Sequence, residues 1–597
     1  MKAEGPRPEP LRDLSLVGLA AAMVLVGVLW AAGAASARLS GHRLPHGRPF
    51  GELAAFAHFA DPSAGWRSPV GPPGLYWLVT FLTLSLLAGM GYGAWRLWHP
   101  RPRDTADDPE AIEGLANRRQ VRHAAGEKAL LRRAATLRPA VSRPVPADVG
   151  LLLGSSRGEG CWASVEDSIT LLGPPRAGKG FNIVIPAILD YPGAVITTST
   201  RSDNLTPTLE ARSRVGPVAV FDPEGLAAGV PSALRWSPVR GCERAQTAMI
   251  RAAALTAGAG QGVTEANYWK EQTRQAVRCL LHAAAIAGRS ADSLYEWSLS
   301  APAAKEAVQI LINHPAAAPK WSIALDAIIS SDPKRRDDIW SMVSNAFSAL
   351  ADPKVLAAVS PGPDESFDPA RFLRERGTLY LLGTAGSKEA TGTAGLVSAL
   401  IEDVVNVARR LAAGSPGSRL DPPLGLILDE AANYPLPSLG ALMSEGGGTG
   451  ITTLAVLQTL AQARHRWGRD EAQAIWDSSI VKLILGGGSD ADDLADLSRM
   501  IGDRTVRERS ESWGTDRSTS FSESDRQRAI LDPAMIRELR FGYGLMLLRS
   551  AKPIMLRLHP WTGRTDAGEI ETGKARIETA IRETAAREWE NESEGQQ

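Results

Sequence analysis

The chain has 597 residues with 66 Lys+Arg against 66 Asp+Glu. Its formal charge therefore balances, which excludes a protein that holds nucleic acid through an overall basic surface and leaves only local contacts. Three cysteines, Cys161, Cys242 and Cys279, form no CxxC pair; they exclude a disulfide framework and a zinc ribbon and point to a reducing compartment for the bulk of the chain.

Residues 1–13 form a short N-terminal segment, and Leu14 to Ala37 then runs 24 residues without a charge. A helix needs about 20 residues to cross the hydrocarbon core, so this run reads as a first transmembrane helix, 14–37. A secretory signal is the competing reading, because Lys2, Arg7 and Arg12 precede the run and Ala35-Ser36-Ala37 resembles a cleavage site. Residues 38–73 become an external loop, in which the His42 and His46 pair is interrupted by Pro45 and reads as solvated chain, not a metal site. A second span, 74–95, carries Tyr76, Trp77 and Trp95 where interfacial aromatics belong.

Residues 96–150 read as a basic juxtamembrane linker. Arg118, Arg119, Arg122, Lys128, Arg132, Arg133, Arg138 and Arg143 face only Glu127, a net of +7 between 114 and 143. Such a flank stays in the cytoplasm, so the expectation is a two-span protein of the cell membrane with its N-terminus and the bulk of the chain inside. The collar reads first as a topology signal that also attracts anionic lipid, and second as a DNA contact.

From 151 to 242 the pattern is that of a RecA-like core. The apolar run Ser168 to Leu172 leads into Gly173-Pro174-Pro175-Arg176-Ala177-Gly178-Lys179-Gly180, and an apolar helical segment follows to Leu189. Glycines let backbone N–H groups wrap phosphates, the helix start adds partial positive charge, and Lys179 reaches the β and γ phosphates. The hydroxyl residue that usually follows the lysine and holds Mg²⁺ is replaced by Gly180. Thr197, Thr198 or Ser199 can supply one if their strand lies beside the P-loop strand. Residues 243–375 show helical periodicity alone and read as an all-α insertion.

The second part of the core, 376–565, carries the partner motif. The apolar strand Leu424 to Leu428 ends in Asp429, which suits a Mg²⁺ ligand, and Glu430, which suits a residue that polarises the attacking water. The strand Ile451 to Leu457 delivers Gln458, suited to sensing the γ-phosphate or orienting water. With no guanine signature present, ATP with Mg²⁺ is the expected nucleotide. Further strands are expected at Val218–Phe221, Leu379–Gly383, Ile480–Leu485, Leu545–Leu548 and Ile554–Leu558, which makes the fold class α/β. Residues 509–526 read as a mobile Ser- and charge-rich loop, and 566–597 as a polar, Glu-rich tail, open to helix but without enough apolar residues for a core of its own. RecA-like rings commonly borrow an arginine from the neighbouring subunit; Arg464, Arg466 and Arg504 are the candidates, with Arg504 favoured.

The two spans, GPPRAGKGFNIVIPAIL, LILDEAANYPLPSLGALMSEGGGTGITTLAVLQTLAQ and VKLILGGGSDADDLADLSRMIGDRTV together resemble the type IV secretion coupling proteins of the TraG/TraD type, over nearly all of residues 14–560. Carried over are Gly178-Lys179-Gly180, Pro186, Asp429-Glu430 and Gln458-Thr459-Leu460-Ala461-Gln462, so the missing hydroxyl is a family habit. The resemblance implies a membrane-anchored homo-hexameric ATPase that receives a relaxase attached to single-stranded DNA and feeds it to a conjugative secretion channel. It also makes 243–375 similar to the family's all-α domain and about 424–550 similar to the segment that recognises the relaxosome protein TraM. Two departures touch substrate contacts: Thr197 to Asp203 stands where many members have Asp-x-Lys-Gly-Glu, and Gly446 to Thr449 where many have basic residues. A double-stranded DNA pump of the FtsK type would need a winged-helix domain after residue 565, and a scaffold that binds nucleotide without turnover has no use for Glu430.

Overall fold

A computed structural model describes residues 10–46, 51–98, 108–230, 234–257, 266–362, 365–383, 391–513 and 519–595, and the chain divides into two compact units, 1–107 and 108–597.

The first unit holds two long helices, Pro10–Leu39 and Pro73–Trp98, packed against each other. Among the described residues one stretch, Pro73–Tyr92, is long and apolar enough to cross a membrane, while the first helix contributes the shorter apolar stretch Val26–Leu39. Most side chains between 10 and 25 lie outside the described residues, as do residues 99–107 of the expected linker. Between the helices the chain folds back on itself: Trp66 Nε1 donates to Tyr76 Oη at 3.0 Å, and Ser36 Oγ donates to the Val70 carbonyl at 2.7 Å.

The second unit is built on an eleven-stranded sheet. Its strands are β1 (Gly150–Ser156), β2 (Glu159–Ser164), β3 (Ile169–Leu172), β4 (Ala194–Ser199), β5 (Val218–Phe221), β6 (Thr378–Leu382), β7 (Leu424–Leu428), β8 (Ile451–Leu457) and β9 (Val481–Leu485). After the separate hairpin β10 (Asp503–Trp513) and β11 (Thr519–Ala529), it is completed by β12 (Tyr543–Leu548) and β13 (Ile554–Arg557). The order is β2-β1-β13-β12-β9-β3-β8-β7-β4-β6-β5. From β9 to β5 every pairing is parallel, and from β9 to β2 every pairing is antiparallel. Every residue of β3, β4, β6, β7 and β8 is buried. Helices cover both faces of the parallel half, which is why these strands read as unbroken apolar runs.

Between β5 and β6 the described chain is helical, from Ala245–Leu255 to Pro369–Arg374, around Leu280, Trp297, Trp340 and Val343. This bundle is tied to the sheet's helices by a buried pair, Arg251 to Asp403 at 2.9 Å, with the guanidinium stacked over Trp236.

Two regions differ from the sequence reading. The expected linker, from 109 onward, is a set of short helices, Arg118–Ala124, Glu127–Leu131, Ala134–Leu137 and Pro146–Val149, lying on the β1–β2 hairpin. Val121, Leu130, Leu137 and Val149 are buried among the basic residues and supply the apolar contact that a charge count conceals. Four of the seven collar arginines are engaged: Arg118 and Arg122 pair with Glu159, Arg133 with Glu166 and Asp167, and Arg138 with Asp421.

The expected mobile loop at 509–526 instead forms the arms of the β10–β11 hairpin, in unbroken register from Asp503↔Ala529 to Trp513↔Thr519; residues 514–518 lie outside the described residues. A two-stranded ladder pairs its facing backbone groups and leaves the outward ones to water, so a polar sequence is compatible with it. The tail, which the sequence leaves open to helix, is mostly one helix, Ala567–Gly595, docked through Ile577 and Ile581 on Leu205 and Leu209.

Candidate nucleotide site

The P-loop leaves β3, which lies between β8 and β9. Two loop residues take positive φ, Arg176 at 65° and Gly178 at 84°, and this turns successive N–H groups inward. Gly178 is required twice over, since a Cβ there would also stand 2.5 Å from Asn182 Nδ2 and 2.7 Å from the Phe541 ring. Gly173 packs against Leu485, and Pro174 against Gly487. Pro175 and Arg176 are exposed, while Ala177 turns its methyl toward the apolar core. Lys179 Nζ donates to the carbonyls of Gly173 at 2.7 Å and Pro174 at 2.9 Å, which holds the ammonium across the loop. The helix opens with a wide turn, Gly180–Val184, before tightening at Ile185–Asp190. Pro186 has no N–H to give to a regular fourth-residue bond, which accounts for the widening.

Parallel strands all end on the same side, so the sheet order decides what meets the loop. β8 stands between β3 and β7, which brings Gln458 between Lys179 and the carboxylates. Gln458 Nε2 donates to Glu430 Oε1 at 3.1 Å, while Asn433 Nδ2 at 2.7 Å and Thr200 Oγ1 at 3.1 Å donate to Glu430 Oε2. Glu430 itself sits at φ 51°, a conformation uncommon outside glycine and typical of functional positions. Asp429 Oδ2 accepts from Asn204 Nδ2 at 3.1 Å, and Oδ1 accepts from the Glu430 N–H at 3.1 Å. Burial pushes the Asp429 carboxyl up to about 6; the Asn204 hydrogen bond opposes the shift and the Glu430 charge adds to it. Burial also lowers Lys179, against the pull of Asp429 and Glu430.

Lys179, Asp429, Glu430 and Gln458 are thus brought together from three strands, and Arg504 is not among them. Its guanidinium faces Glu113, 3.6 Å from Oε2, at the start of β10. Arg464 pairs with Asp493 at 2.5 Å, and Asp493 lines a small cavity of about 30 Å³ together with Gly173, Pro174 and Gln458. The condition for a hydroxyl from β4 fails, because β4 pairs with β6 and β7 and not with β3. Thr198 Oγ1 donates to the Asp429 carbonyl at 2.8 Å, Ser199 Oγ to Asp203, and Thr197 Oγ1 is buried without a partner.

Sequence reasoning missed Thr200, Asn204, Asn433 and Phe541. Asn433, three residues after Glu430, had a spacing signal, since the turn that follows the strand returns it to the carboxylate. Phe541, 66% exposed and beside Gly178, had a weaker one as an apolar residue between Arg540 and Gly542.

Residues 423–541 match the family described as the TraM recognition site of TraD and TraG. That segment contains Asp429, Glu430 and Gln458 and ends on Phe541. Among solved structures, the chain is similar to the bacterial conjugative coupling protein TrwBdeltaN70 in its unbound monoclinic form. The TM-score is 0.50 at 16% identity, over 73% of this chain and 92% of that one. The trigonal form of the same protein in complex with sulphate gives 0.50 at 18% identity, over 73% and 93%. No curated protein matches the chain by sequence. The matched segment and the shared mixed α/β fold together bear out the resemblance to the type IV secretion coupling proteins of the TraG/TraD type.

Proposed function

We propose that the protein is a membrane-anchored, ATP-driven coupling protein. In this reading it delivers relaxase-bound single-stranded DNA, with proteins as further cargo, to a type IV secretion channel during conjugation. The observation that carries the reading is the meeting of Lys179, Asp429, Glu430 and Gln458 at one end of the parallel sheet. Three of the four lie inside the segment that matches the TraM recognition family, which favours a relaxosome as partner.

The chemistry follows from the geometry. Lys179 and the inward N–H groups of 173–180 bind the phosphates. Glu430, with both oxygens anchored by Gln458, Thr200 and Asn433, is aimed to accept hydrogen bonds from a water and take its proton. Gln458 touches that carboxylate and so couples it to whatever occupies the loop. Magnesium fits the donor set, because Asp429 and its neighbours offer hard oxygens, and Mg²⁺ usually takes only one or two carboxylates plus substrate phosphate. When bound, the ion neutralises phosphate charge.

The helices Pro10–Leu39 and Pro73–Trp98 serve as two spans, with residues 108–597 in the cytoplasm and six copies forming a ring. Arg504 is the favoured arginine donated to a neighbouring site, with Arg464 and Arg466 as the alternatives. Transfer of a mobile element tests the whole. Lys179→Ala is expected to lower it by at least about 10²-fold with normal amounts of protein in the membrane fraction, and normal transfer would refute the motor reading.

A further inference from the structure

The helix Leu205–Ser213 is preceded by an asparagine whose side chain does not cap it. Asparagine is among the best N-cap residues because its side-chain oxygen accepts an N–H from the first turn, so its use elsewhere calls for a reason. Asn204 is 2% exposed, and its Nδ2 donates to Asp429 Oδ2 at 3.1 Å. An ionised carboxylate only accepts, so this bond fixes which end of the amide is which. Oδ1 is left facing the P-loop, 3.8 Å from where a Cβ on Gly180 would stand, and it accepts no hydrogen bond among the described residues. The structural share of the residue is carried by its backbone, whose carbonyl accepts Thr208 Oγ1 at 2.6 Å.

Gly180 is the position at which a general P-loop places the hydroxyl that reaches Mg²⁺. This chain lacks the hydroxyl, and the hydroxyls of the three β4 residues are engaged or buried elsewhere. A neutral amide oxygen stands on the same side instead, tied to the very carboxylate that serves the ion. An amide oxygen is a hard ligand suited to Mg²⁺, and it adds no charge beside Asp429 and Glu430. We propose that Asn204 Oδ1 is the protein ligand that replaces the missing P-loop hydroxyl on the magnesium of the bound nucleotide. The inference rests on the nucleotide reading above and names a residue that reading does not contain.

The test uses full-length protein in detergent, a non-hydrolysable ATP analogue and manganese(II), whose free ion is followed by its paramagnetic resonance signal. Asn204→Ala is expected to weaken Mn²⁺ binding in the complex by about 10-fold or more, with affinity for the analogue in EDTA unchanged. Adding Gly180→Ser to that variant is expected to return Mn²⁺ affinity to within a few-fold, since 3.8 Å leaves room for the new side chain. Unchanged Mn²⁺ binding in Asn204→Ala overturns the proposal. A loss without rescue also overturns it, because it assigns Asn204 to holding Asp429 in place. Should Asn204→Ala aggregate, Asn204→Asp decides: it keeps an oxygen and is expected to bind Mn²⁺ at least as tightly as the unaltered protein, and weaker binding counts against the ligand role. If the unaltered protein binds the analogue neither with Mn²⁺ nor in EDTA, the nucleotide reading itself falls, which is a distinct result.

Discussion

The two halves of the large sheet differ in what their geometry lets them do. In the parallel half, from β9 to β5, every strand ends on the same side, so residues as far apart as Lys179, Asn204, Asp429 and Gln458 arrive together. In the antiparallel half, from β12 to β2, successive strand ends alternate sides and gather nothing of the kind. That half carries instead a basic helical cap held by ion pairs, among them Arg118 and Arg122 to Glu159 of β2 at 2.8 and 2.6 Å. The lesson is that one sheet separates chemistry from attachment by strand direction alone. Variants in the two halves should therefore fail differently.

The strongest way to break the contrast is Glu430→Gln. It removes the proton acceptor while Asp429 and Lys179 stay, so turnover is expected to fall by about 10²-fold or more with nucleotide binding retained. Hydrolysis at the unaltered rate would move the water-activating role to another residue. Next in size is Arg138→Ala, which cuts the cap from Asp421, three residues before β7. Arg138 is nearly buried, with its second guanidinium arm on the Asp148 carbonyl at 3.0 Å, and its loss leaves Asp421 without its partner. A destabilisation of about 2 kcal/mol is expected, seen as earlier thermal unfolding with the hydrolysis rate per folded molecule unchanged. A matching loss of hydrolysis would show that the halves are coupled.

A smaller effect of opposite sign belongs to Asp429. Its carboxyl is raised from 3.8 to about 6, so the folded state favours the protonated form. The cost of ionising it is absent below about 3.8 and fully present above about 6. In nucleotide-free protein at pH 7.5, Asp429→Asn should then melt higher by about 1–3 °C, and the gain should shrink as pH falls through 6. A constant gain at all pH values would point to packing, not charge. The smallest effect returns to the cap. Hydrogen bonds from Arg122, then Arg118, hold Glu159 down to about 2 from 4.5. The helix Arg118–Ala124 should keep its hold on the β1–β2 hairpin above pH 4.5 and loosen between there and pH 2, by hydrogen exchange, and Glu159→Gln should abolish that dependence.

The contrast also explains what was legible from the residues alone. β3, β7 and β8 announce themselves because a strand buried on both faces must be apolar throughout, and their ends are marked by glycine, carboxylate or amide. β1 and β2 do not, since Leu151 and Leu153 face the core while Leu152 faces out, and glycines and serines fill the remainder. Asn204 and Phe541 belong to the site through sheet order and loop return, across 225 residues in the case of Asn204 and Asp429. No local spacing encodes such a meeting. Arg504 shows another limit of local pattern: the neighbourhood Gly502-Asp503-Arg504-Thr505 gives no sign that it forms the root of a hairpin, with the guanidinium 3.6 Å from Glu113.

The docking of Ala567–Gly595 has a practical side. This helix grips Leu205–Ser213 through Ile577, through Arg576 to Glu210 at 2.5 Å, and through Arg214 to Glu569 at 2.8 Å. The gripped helix starts one residue after Asn204. Purification handles, fluorescent fusions and trimmed versions that disturb 567–595 would therefore pull on a lever whose short arm ends beside Asp429, and kinetics measured on such versions would describe a retuned machine.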